Sequence, residues 1–112
     1  MSKTMQIRIS INPYYGKNLE RSYPKLGRAL KQQNPDLVNR GPSFYELAGQ
    51  LDLLLYRYDG TLLRDVLARH KDKLKDVYAR IEENMADRNL AKVDQLLYSI
   101  EDIFDEIEAE LD

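Results

Sequence analysis

A mainly α-helical fold with one strand at its N-terminal end is predicted for this 112-residue chain by three observations. Residues 5–12, MQIRISIN, alternate apolar and polar side chains without a fault; a strongly amphipathic helix opens after Gly41; and from Thr61 onward two apolar stripes recur at spacings of three and four residues. The length suits a single domain or a small module with an appendage. A head over residues 1–60 and an extension over residues 61–112 are expected, because the charge changes sign between them. The head carries nine Lys or Arg against five Asp or Glu, a balance of +4, and the extension eight against fourteen, a balance of −6.

In the first segment Met5, Ile7, Ile9 and Ile11 fall on one face of a strand and Gln6, Arg8 and Ser10 on the other, since strand side chains alternate with a period of two. Asn12 and Pro13 end it, because proline offers no N–H to a ladder. Ser22 is placed to cap a short helix from Tyr23 to about Gln33, with Pro24 in its first turn and Leu26, Ala29 and Leu30 as its stripe. Asn34 before Pro35 stops it. Ser43 with Glu46 three residues on forms a capping box, after which Phe44, Leu47, Ala48, Leu51, Leu54, Leu55 and Tyr58 share one face up to Asp59 and Gly60.

Beyond Thr61, Leu63, Leu67, His70, Leu74, Val77 and Ile81 form one seam, and Val93, Leu97, Ile100, Phe104, Ile107 and Leu111 a second. Between them NMADRNL shifts the phase, and Asp87 or Asn89 is suited to cap a new helix. An antiparallel hairpin is the first reading and a single bent helix the second, since no Gly or Pro enforces a turn.

One strand followed by two helices, the second opened by the Gly41–Ser43 turn, resembles the ribbon-helix-helix family of DNA-binding proteins. The likeness spans roughly residues 3–58 and, with the helical extension and the stretches ISINP and LLLYRYDG, is most similar to ParR-type adaptors of plasmid DNA segregation. It implies a homodimer, open to higher-order assembly, in which the strand pairs with that of a second subunit and the two-stranded ribbon enters the major groove of double-stranded DNA. Met5, Ile7, Ile9 and Ile11 then seal the dimer core, and Gln6, Arg8 and Ser10 face the bases. Phosphate contacts are implied at Lys3, Lys25 and Arg28, and at Ser43 and Phe44 on the N-terminus of the second helix. The 28 residues between Asn12 and Gly41 contain three prolines counting Pro13, and leave the extent of the first helix open.

The chemistry of the remaining residues narrows the function. There is no cysteine, so disulfides and thiolate sites are excluded, and no apolar run approaches the roughly 20 residues that span a bilayer. A cytoplasmic protein without cofactor is expected, and membrane association is not. His70 is the sole histidine and sits on an apolar seam, and no nucleophile, phosphate-loop or metal-ligand pattern accompanies it, so no enzymatic activity and no metal are expected. Lys17, Arg21, Lys25, Arg28, Lys31 and Arg40 supply most of the positive half, the kind of charge that gives DNA affinity through counterion release. From Val93 onward there are eight Asp or Glu and no Lys or Arg. That stripe edged with carboxylates, Ile100, Phe104 and Ile107 with Asp105, Glu106 and Glu108, is expected to meet a protein partner, an actin-like filament or a toxin.

Three functions follow: a DNA-binding adaptor that links a DNA site to a protein partner in segregation; a repressor or antitoxin with the same head; and a helical scaffold with no DNA role.

Overall fold

A computed structural model describes residues 19–111. Among them are eight helices and no strand: α1 (Leu19–Ser22), α2 (Pro24–Lys31), α3 (Pro35–Asn39), α4 (Phe44–Gly49), α5 (Leu51–Arg57), α6 (Leu62–Arg69), α7 (Lys71–Ala86) and α8 (Leu90–Glu110). The expected fold class, a dimeric ribbon-helix-helix head followed by a hairpin, is therefore corrected to an all-helical arrangement of the described residues. The segment expected to supply two head helices holds five short ones, and α8 packs against α2 and α4. Strict alternation over a few residues tells which side chains share a face but not what they pair with, and the two-helix head on which the resemblance rests is not the arrangement found. The expected strand, its dimer core of Met5, Ile7, Ile9 and Ile11, and the expected DNA contacts Lys3, Gln6, Arg8 and Ser10 lie outside the described residues.

Local chemistry explains most helix ends. Pro24 and Pro35 occupy first-turn positions, where a missing N–H costs nothing. Ser22 ends α1 rather than capping α2, and Tyr23 at the N-cap of α2 gives it no side-chain bond. Asn34 accepts from the Leu37 N–H at 3.3 Å and opens α3, a helix that Asn34 before Pro35 announced only as a stop. Ser43 Oγ accepts from the Glu46 N–H at 3.0 Å, as half of the expected capping box. Gly60, at φ +86°, closes the following segment where a stop was expected.

Two expected helices are each broken once. Gln50, at φ −101° and ψ 14°, ends α4 and begins α5; the Gly49 before it lies so close to the Tyr78 ring that a Cβ there would stand 2.9 Å from Cε1. His70, at φ −103° and ψ 6°, does the same between α6 and α7.

The α7–α8 pair is the antiparallel hairpin of the first reading. Its turn is a Schellman motif without glycine: the Asn89 N–H donates to the Asn84 carbonyl at 2.8 Å, the Arg88 N–H to the Met85 carbonyl at 3.0 Å, and Arg88 takes the left-handed conformation at φ +59°. Asn89 then caps α8 by accepting from the Lys92 N–H. Both seams face inward. Leu63, Leu67, Leu74 and Ile81 from one and Val93, Ile100, Phe104, Ile107 and Leu111 from the other are buried, joined by Leu96 and Ile103. The core is one cluster that runs from Leu19 through Leu47, Leu54 and Leu74 to Leu111, crossing the charge boundary at residue 60.

Candidate functional site

The expected phosphate contacts divide. Arg28 is exposed, Lys25 is half-buried, and no described residue forms an ion pair with either, nor with the exposed Arg21. Lys25 and Arg28 line one depression together with Leu62, Leu63 and Leu111. Ser43 and Phe44 do not join them. Both are buried, and Phe44 lies flat on Phe104 with centroids 4.4 Å apart while Tyr23 meets it edge-on at 4.9 Å. The helix they open is six residues long, with Phe44 and Leu47 of its first turn in the core.

The apolar stripe of the acidic helix faces inward: Ile100, Phe104 and Ile107 are at most 1% exposed and belong to the chain's own core. Asp105, Glu108 and Glu110 of this helix are also engaged within the chain. Glu108 accepts from the backbone N–H groups of Lys25 at 3.0 Å and Leu26 at 2.9 Å, capping α2 from another helix where its own N-cap residue gives nothing. A carboxylate at that end also meets the positive pole of the helix dipole. Asp105 accepts from the Tyr23 hydroxyl at 2.6 Å, and Glu106 is exposed. At the other end of α2 the buried Tyr58 hydroxyl donates to the Leu30 carbonyl at 2.5 Å, and burial pushes that phenol above its ordinary range. The second helix is thus held at both ends by residues distant in sequence.

Glu110 closes a third contact of this kind. One of its oxygens lies 2.6 Å from His70 Nε2 and the other accepts from Arg69 at 2.6 Å, so the end of α8 is fastened to the break between α6 and α7. The hydrogen bond with His70, then that with Arg69, holds the Glu110 carboxyl below the usual carboxylate range. His70 is buried with a carboxylate partner 40 residues away, which no local spacing revealed. No group of three His, Cys, Asp or Glu that could hold a metal ion is found among the described residues. No helix among them is long and apolar enough to cross a membrane.

The face between α4 and α7 carries a feature that the sequence reading missed. Tyr45 and Tyr78 stack with centroids 5.0 Å apart and planes 19° from parallel. The Tyr45 hydroxyl donates to Glu82, and burial followed by that bond pushes the phenol far above its ordinary range. Two open depressions, of about 450 and 300 Å³, meet at Gly49 and Tyr78. Eight tyrosines in a short chain were the only signal, and core packing explains that abundance equally well.

Comparison of the chain with protein-family models, with curated proteins and with solved structures finds no match.

Proposed function

We propose that the chain is a non-catalytic helical adaptor that binds double-stranded DNA through its first forty residues and a protein partner through another face. The observation that carries this reading is the segregation of charge. Residues 1–40 hold eight Lys or Arg against two Asp or Glu, and residues 41–112 hold nine against seventeen, so the division is sharper than one drawn at residue 60. Within the basic stretch Arg21, Arg28, Lys31 and Arg40 are exposed. Lys31 pairs with Glu20 at 3.2 Å, but both side chains are substantially solvated and such a pair neutralises little.

Recognition on this reading rests on phosphate contacts, which release counterions and give affinity without sequence preference. Sequence reading by a ribbon is withdrawn with the fold it belonged to. The partner named by the resemblance, an actin-like filament, is one candidate for the adaptor's other end, and co-sedimentation tests it.

The DNA reading is tested by a gel-shift titration of the full chain with duplex DNA over a range of salt concentrations. Binding should weaken steadily with salt, and the double substitution Lys25→Ala and Arg28→Ala should flatten the logarithmic slope by about 2. Failure to retain DNA at low salt would leave the helical scaffold as the function.

A further inference from the structure

Aromatic surface and carboxylates stand together at the groove between α4 and α7. Tyr45 and Tyr78 are half-buried, so part of each stacked ring borders the opening. Glu82 is exposed, receives the Tyr45 hydroxyl, and forms no ion pair with a described residue. Glu46 lines the same opening; its nearest cation, Arg40, stands 4.0 Å away with both side chains well solvated. The cation facing the groove from its other end, Lys75, is held by Asp52 at 2.8 Å. A hydroxyl that donates to a carboxylate leaves its ring richer in electrons, and an electron-rich ring attracts a cation.

We infer that this groove is a docking site for a basic peptide segment of a protein partner, with a Lys or Arg side chain over the Tyr45–Tyr78 pair and its charge between Glu46 and Glu82. An apolar ligand would strip water from those carboxylates with no bond in return, which is costly. An acidic ligand or a nucleic acid would meet like charge. The groove therefore selects the opposite class of partner from the basic surface of residues 1–40, and the inference stands whether or not the chain binds DNA.

The experiment is fluorescence anisotropy of the full chain with a labelled peptide of alternating Lys and Ala, set against one of alternating Glu and Ala. The Lys peptide should bind and the Glu peptide should not. Tyr78→Leu should weaken binding about three- to fivefold, the worth of a cation over an exposed ring. Gly49→Ala provides a second route to the same site: its new methyl would stand 2.9 Å from the Tyr78 ring and displace it while leaving every charge in place. Glu82→Gln should cost about threefold, as for an exposed ion pair. Asp102→Asn, which removes one exposed carboxylate outside the groove, should change nothing. Circular dichroism checks that each variant keeps its helix content. The inference is overturned if the Lys peptide does not bind, if Asp102→Asn costs as much as Glu82→Gln, or if Tyr78→Leu and Gly49→Ala both leave affinity unchanged.

Discussion

The α7–α8 hairpin and the cluster of α1, α2 and α3 are both helical, yet opposite means build them. The hairpin helices run 16 and 21 residues, long enough for a repeated apolar seam to specify them, and their turn is closed by backbone bonds between neighbours. The first three helices run 4, 8 and 5 residues, far below the roughly 12–15 at which an isolated helix is even marginal in water. Of these α2 is held by α8, with Asp105 against Tyr23 just before it and Glu108 on its N-terminus, and α1 and α3 pack on α2; Phe104 against Phe44 ties the neighbouring α4 to the same helix. One region is specified along the chain and the other across it.

The heaviest blow to that comparison is Phe104→Ala. The ring is 1% exposed and stacked on Phe44, so its loss removes buried area, leaves a cavity and breaks the ring pair together. Such truncations cost about 3–5 kcal/mol. Urea unfolding should show the full loss, and amide exchange should rise first in the residues from Leu19 to Phe44 that depend on α8. Equal exchange throughout the hairpin and the first three helices would mean that the two regions are not built differently.

A narrower cut is Glu108→Ala, which leaves the core intact and removes only the cap on α2. Side-chain caps are worth about 0.5–2 kcal/mol. Exchange of the Lys25 and Leu26 amides should accelerate while Leu74 and Ile100, deep in the hairpin, stay protected. Glu108→Gln, which keeps an acceptor of the same shape, should recover part of the loss. Unchanged exchange at Lys25 and Leu26 in the alanine variant would show that α2 needs no help from α8.

This division also explains what could be read from the sequence. The seams of α7 and α8, the Ser43 cap, the Gly60 stop and the hairpin are local or periodic, and all were legible. Even so, the heptad pattern gave no sign that His70 would interrupt it, because His70 keeps its place on the buried face while the backbone turns. The break after Gly49 was equally silent, and so was the Tyr78 ring, 29 positions away, that leaves no room for a side chain at Gly49. The acidic run of α8 is legible as a concentration of charge, but its contacts within the chain are not. Nothing in the order of residues says that Glu108 meets two free N–H groups of α2, or that Glu110 meets His70 and Arg69. For the candidate site, the basic character of Lys25 and Arg28 is legible as charge, whereas the Tyr45–Tyr78–Glu82 groove needs two helices brought side by side before it exists.

The mildest test concerns the turn that makes the hairpin local in the first place. Arg88 occupies the position after the α7 C-cap at φ +59°, a conformation that costs an ordinary L-residue about 1–2 kcal/mol and glycine nothing. Arg88→Gly removes that strain, but glycine also frees the unfolded chain, which offsets about 0.5–1 kcal/mol of the gain. The net expectation is a stabilisation of a few tenths to about 1 kcal/mol, with helix content unchanged. Thermal unfolding followed by circular dichroism reads it directly. The sign carries the meaning: with a Schellman closure, the residue most favoured at this position should improve a turn that lacks it. A loss of stability would show instead that the Arg88 side chain holds the turn, and the hairpin would then depend on a side-chain contact, as the first three helices do.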